Sequence, residues 1–136
     1  MSQFVDQARS YLGGKSFRFD DLNKLWRELK AENEISLARS VLARLRSGQG
    51  LLDEIPSDRK IKAKLCQQHA ELTSKDPELS ASMRHDTALE ILRELFDLDN
   101  ALLDGDGETL GIAGGICKRR WMDLEQYENL RRAAEL

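Results

Sequence analysis

Three consecutive cations, Lys118, Arg119 and Arg120, stand just ahead of Trp121. They are the residues of this chain best suited to chemistry. Such a row can hold an acidic peptide or a phosphate through charge-assisted hydrogen bonds, so they are the candidate partner-binding residues. A plainer reading competes. Cations in the last turn of a helix complement its dipole with no partner at all, while Trp121 packs into a following turn. A nucleic-acid role would call for more basic surface and more exposed aromatics than this stretch supplies.

Other suggestive sets are incomplete. Gly13-Gly14-Lys15-Ser16 has the end of a phosphate loop, but the loop's first glycine would fall at Arg9, and no strand pattern precedes it. It reads as a helix stop and a turn. Asp97-Leu98-Asp99-Asn100 and Asp104-Gly105-Asp106-Gly107-Glu108 look like calcium-loop fragments. The glycine required at position six falls on Leu102 in one register and Thr109 in the other, so an acidic link is expected. Cys66 and His69 sit one helical turn apart, whereas zinc needs four ligands and no second close pair exists. His85 lies on another helix, and neither thiol is marked as activated. Carboxylates such as Glu28, Glu32 and Glu94 lie among basic neighbours on helix faces, not in a recognisable dry cleft. No catalytic, cofactor-binding or metal-binding residue is assigned. The expectation is a non-enzymatic protein without a cofactor.

The elements that must position these residues are helical. In 136 residues, 33% are charged and 6% aromatic, and Gly and Pro fall mostly at candidate joints. A net charge of −3 suggests no bulk attraction to nucleic acid or membrane. The two halves differ, at +4 for residues 1–68 and −7 for residues 69–136. Two distant cysteines, no secretory leader and no bilayer-length apolar run lead to the expectation of a reduced, cytoplasmic protein without membrane contact.

Apolar residues recur with a period of 3.6 throughout, and no stretch alternates as a strand does. Ser2 caps a first helix through Leu12. Asp20 or Asp21 offers a cap to a second, which carries Leu22, Leu25, Trp26 and Leu29. A third carries Ile35 to Leu45 and closes at Gly48 and Gly50. Ser57 caps a fourth, with Ile61, Leu65, Cys66, His69 and Leu72. A fifth runs from Ser80 to Phe96. Gly107–Leu136 reads as two more helices joined by a tight turn. Successive antiparallel hairpins of roughly 30–40 residues result, a spacing that belongs to stacked helical arrays. Gly111, Gly114 and Gly115 each cost roughly 1 kcal/mol of helix propensity relative to Ala, which suggests a neighbouring backbone drawn close.

Ala113-Gly114-Gly115-Ile116-Cys117-Lys118 resembles the small-residue box of tetratricopeptide units, and Ala133-Ala134-Glu135-Leu136 resembles the end of their second helix. Cys117 stands where an aromatic is usual. The run Glu108–Trp121 is similar to a tract in bacterial tetratricopeptide proteins related to the TRAF-binding region of apoptosis-signal-regulating kinases. The resemblance implies a helical array used for protein contacts within a larger signalling or defence protein.

The sequence is therefore read as one all-α domain over residues 1–136, with six or seven helices in antiparallel hairpins. These would form an irregular tetratricopeptide-like solenoid segment, the N-terminal part of a longer array. Its expected function is that of a protein-interaction scaffold for a protein or peptide partner, including an acidic one. Self-association through an open apolar C-terminal end is a further expectation. The alternative is a nucleotide- or nucleic-acid-binding accessory domain that uses the basic edge.

Overall fold

The computed structural model describes residues 2–94 and 107–135, with side chains at 111–126 in the second stretch. Six helices are present among the described residues: α1 (Gln3–Leu12), α2 (Phe19–Ala31), α3 (Ile35–Arg46), α4 (Arg59–Lys75), α5 (Ala81–Arg93) and α6 (Gly107–Glu135). The first five fall where the apolar spacing puts them. Leu95, Phe96 and the acidic link Asp97–Asp106 lie outside the described residues.

The helix starts combine expected and unexpected caps. The Ser2 hydroxyl accepts the Phe4 N–H at 3.1 Å, satisfying one of the donors that a helix start leaves orphaned. At α2 neither Asp20 nor Asp21 caps; both lie inside the first turn. The Phe19 N–H instead donates to the Asp53 carboxylate at 2.8 Å, across 34 residues of chain. At α4 the cap is Asp58 and not Ser57, with Oδ1 accepting the Lys60 N–H at 2.7 Å. A carboxylate there also offsets the cations Arg59, Lys60, Lys62 and Lys64, which oppose the helix dipole.

The α3–α4 connection requires glycine at Gly50. Its φ is +72°, and a Cβ there would come 2.8 Å from the Tyr11 ring. This close approach lets Phe17 and Leu51 form a lone parallel bridge, in which the Leu52 N–H donates to the Phe17 carbonyl at 2.9 Å. The Tyr11 hydroxyl donates to the Gln49 carbonyl at 2.7 Å and completes the clasp.

Helices α2 and α3 pack as one hairpin and α4 and α5 as a second, with α3 against α4 and α1 lying on α2 and α3. The larger apolar core joins Tyr11, Leu22, Trp26, Leu29, Leu42, Leu45, Leu65 and Leu72. Each buried leucine contributes about 1.5–3 kcal/mol relative to exposure. A smaller core joins Cys66, Ala70, Ala88, Leu89, Leu92 and Ile116.

The C-terminal stretch departs from expectation. In place of a hairpin with a tight turn, α6 is continuous for 29 residues and packs on α5 and α4. Nothing between Lys118 and Asp123 breaks a helix, and its glycines sit within the first turns without reversing the chain. Nor do those glycines admit a neighbouring backbone. A Cβ at Gly111 or Gly114 would meet nothing within 4 Å, and one at Gly115 would meet only the Arg119 guanidinium at 3.5 Å. No helix among the described residues is long and apolar enough to cross a membrane.

Candidate functional site

Helical spacing on α4 places Gln68, Glu71 and Lys75 along one edge. The fold brings Lys30 of α2 to one side of that edge and Arg119 of α6 to the other. Lys30 Nζ donates to Gln68 Oε1 at 2.8 Å, and Lys75 Nζ donates to Glu71 Oε1 at 2.9 Å. Arg119 Nε donates to the Ser74 hydroxyl at 3.1 Å. Three helices thus deliver three cations around one carboxylate. Burial pushes the Glu71 carboxyl upward, but the Lys75 hydrogen bond and the charges of Lys75, Lys30 and Arg119 outweigh it and hold the group below its usual range. Burial lowers the pKa of Arg119. Lys30, Lys75 and Arg119 thus carry two positive charges in excess of Glu71.

Behind it lies a polar junction of α4, α5 and α6. The His85 Nε2–H donates to Asp123 Oδ2 at 2.5 Å, and His85 Nδ1 lies 2.8 Å from the Ser74 hydroxyl. Arg84 donates to the same Asp123 oxygen at 2.9 Å. Hydrogen bonds from His85 and Arg84 hold the Asp123 carboxyl below its ordinary range. Ser74, His85 and Asp123 are the components of a hydrolase relay in the order hydroxyl, imidazole, carboxylate. Ser74 and His85 are each only 1% exposed, and Arg119 occupies the hydroxyl from another side. The oxygen is closed to a substrate carbonyl, and the cluster acts as a latch that docks α6.

The cations named from sequence divide three ways. Arg119 is half-buried in the seam. Arg120 turns to α5 and pairs with Asp86 at 3.3 Å. Lys118 is exposed. All three lie within α6 and not in a last turn, so no helix C-terminus explains them, and Trp121 is 63% exposed instead of packed. The sequence reading did not single out Gln68, Glu71 and Lys75, although their spacing of three and four residues is the signal of one helix edge; the convergence of Lys30, Arg119, Ser74, His85 and Asp123 arises only from packing.

The Cys66 thiol donates to the Ile91 carbonyl at 3.1 Å, and burial raises its pKa. Arg46 Nη1 donates to His69 Nδ1 at 2.7 Å, so that nitrogen carries no proton. Burial, then the charges of Arg46 and Arg39, lower the His69 pKa to about 4. Cys66 Sγ and His69 Nδ1 are thus engaged elsewhere. Among the described residues no three His, Cys, Asp or Glu side chains converge as a metal site. The Gly13-Gly14-Lys15-Ser16 turn borders an open groove of about 480 Å³ between α1 and α2, where Lys15 and Lys24 are balanced by Asp6 and Asp21.

No curated protein and no solved structure matches this chain. A family model does: Tetratricopeptide Repeats-Sensor matches residues 18–136. The match opens at the residue before α2 and leaves α1 outside it. With its hairpins α2–α3 and α4–α5 and the added helix α6, the chain belongs to the Tetratricopeptide Repeats-Sensor family.

Proposed function

We propose that this protein is a non-enzymatic interaction scaffold that holds an acidic segment of a protein partner on the seam of α2, α4 and α6. The observation that carries this reading is the gathering of Lys30, Lys75 and Arg119 around Glu71. Membership of a tetratricopeptide family supports protein contact as its purpose. Lys30 and Lys75 are not buried, so an incoming carboxylate could share their ammonium hydrogens while Lys75 keeps its bond to Glu71. Of the cations named from sequence, Arg119 belongs to this surface, with Lys118 and Arg120 on its flanks. The likeness of Glu108–Trp121 to bacterial relatives of the apoptosis-signal-regulating kinase region favours a place within a larger signalling or defence protein of the cytoplasm.

The test is capture of partners from host lysate on the immobilised chain, with and without nuclease, compared with a Lys30→Glu/Lys75→Glu variant. A discrete protein retained after nuclease and lost with the variant is the expected result. Nucleic acid alone, removed by nuclease, would transfer the reading to the nucleotide-binding alternative. A protein retained equally by the variant would remove the seam from the account.

A further inference from the structure

The polar junction behind the seam holds its protons in a fixed order. A neutral His85 ring has one N–H, and Asp123 Oδ2, 2.5 Å from Nε2, keeps the proton on that nitrogen. Nδ1 is then an acceptor, so its 2.8 Å bond to Ser74 takes the single hydroxyl hydrogen. The Ser74 oxygen keeps its lone pairs, and Arg119 Nε donates to one of them at 3.1 Å. In the other tautomer an Nδ1–H would compete with Arg119 for the Ser74 oxygen, and Asp123 would face a bare nitrogen lone pair. Asp123 therefore decides, through two residues, whether Arg119 finds its anchor.

That anchor gives a guanidinium its direction. Nε carries one of the N–H donors of a rigid plane, and bonding it to Ser74 fixes the roll of that plane at the end of the side chain. The anchor uses none of the Nη hydrogens. Glu71 feels the Arg119 charge but takes its hydrogen bonds from Lys75 and Gln68. A Cβ at Gly115 would come 3.5 Å from Nη1 and near nothing else, so the glycine leaves this end of the group uncovered. Ser74 and His85 are buried whereas Arg119 is half-buried; the anchor is dry and the donor reaches the surface. A planar anion with two oxygens, such as a carboxylate, fits the Nη fork end-on through two parallel hydrogen bonds. A lysine in this place would bring the charge without the fork.

We infer that Ser74, His85 and Asp123 are positioning residues of the seam, which hold Arg119 with its fork toward an incoming carboxylate by fixing one tautomer and one hydroxyl. The ligand is the acidic segment proposed above, on which this reading rests, but the proton order belongs to the free chain. The seam's cations thus have unequal roles. Lys30 and Lys75 supply charge on flexible stems, and Arg119 supplies direction. Direction and attraction can be separated at Asp123. Removing its charge makes the surroundings more positive and by charge alone would tighten an acidic ligand, whereas removing the acceptor frees the ring proton and loosens Arg119.

The free chain is tested first, by nitrogen NMR of its side chains at neutral pH. His85 should be protonated at Nε2 and bare at Nδ1, and the Arg119 Nε–H should exchange slowly. Asp123→Asn, whose amide oxygen still accepts from Nε2–H, should keep both signatures. Asp123→Ala should let the proton onto Nδ1, and Ser74→Ala should speed exchange of the Arg119 Nε–H. Binding of a fluorescein-labelled oligo-glutamate peptide then reads the seam. Arg119→Lys and Ser74→Ala keep every charge, yet each should weaken binding several-fold, while Asp123→Asn should bind at least as tightly as the wild type. Amide exchange in α6 tells a misdirected side chain from a released helix; Ser74→Ala leaves His85 and Arg84 on Asp123 and should keep α6 protected. A wild-type ring protonated at Nδ1, or an Arg119 Nε–H indifferent to Ser74→Ala, would overturn the inference without reference to any ligand. So would Ser74→Ala and Arg119→Lys proteins that bind like the wild type while Lys30→Glu/Lys75→Glu does not, or binding that weakens only where α6 has lost its protection. A peptide held equally by the wild type and Lys30→Glu/Lys75→Glu would instead remove the seam, and with it the ligand that Arg119 is held to meet.

Discussion

The two ends of the molecule are held by different physics. From α1 to α4 an apolar core of Leu, Val, Tyr and Trp side chains does most of the work. Among α4, α5 and α6 the apolar cluster is small, and a hydrogen-bonded line runs from Arg119 through Ser74 and His85 to Asp123 and Arg84. Apolar packing tolerates small shifts, whereas a buried polar line works only when every member is present. The contrast suggests a rigid base and a last helix whose docking can be altered by one side chain.

Four substitutions sharpen or break that contrast. Leu42→Ala empties a fully buried site of the base and should cost about 2–5 kcal/mol of global stability, read as a lower urea midpoint with unchanged slope. Gly50→Ala combines positive φ with a clash against Tyr11; a loss of about 2 kcal/mol is expected, also global, because the clasp joins α1 to the α3–α4 connection.

Asp123→Ala leaves His85 Nε2 and Arg84 without their acceptor and should cost about 1–3 kcal/mol. Here the readout is local: amide exchange should quicken in α6 while α2 and α3 keep their protection. Uniform quickening in all helices would erase the distinction between the two ends.

The fourth effect is silent at neutral pH. The His69 pKa is depressed to about 4 in the fold, against about 6.5 in the unfolded chain. The unfolded state therefore takes up the proton first, so stability falls as pH drops from about 6.5 to about 4 and is unaffected above that window. His69→Gln should flatten this part of the profile by roughly 2 kcal/mol, measured by denaturation at pH 7 and pH 4.5. A different group governs still lower pH. Burial raises the Asp76 pKa, but hydrogen bonds from Ser36, the Glu78 N–H and Arg39, together with the Arg39 charge, hold it below its ordinary value. Its contribution is present above the unfolded carboxylate pKa and fades as pH falls through the folded one. That fading should persist in the His69→Gln protein.

The contrast also explains what could be read in the sequence. Helices α1 to α5 were legible because Leu22, Leu25, Trp26 and Leu29, and their counterparts on the other helices, repeat with the period of the helix that buries them. Continuous α6 was not. Lys118–Arg120 read as the last turn of a helix with Trp121 in a following turn, yet a turn needs a residue that ends a helix, and Lys118–Asp123 contains none. The apolar pattern was equally mute about Ser74 and His85, which look like ordinary surface types until two neighbouring helices close over them. The same holds for the Asp53 cap of α2, since a partner 34 residues away leaves no local trace.

That borrowed cap bears on how the chain acquires its structure. The first donor of α2 finds its carboxylate only after α3 has formed and the chain has returned past Gly50. Closing a loop of that length costs entropy before any reward arrives. The start of α2 should therefore fray in a fragment that stops at Arg46 and become firm only when the segment through Asp53 is attached. On this account α2 and α3 fold in one cooperative step with their clasp, and the ribosome must release the α3–α4 connection before the first hairpin can settle.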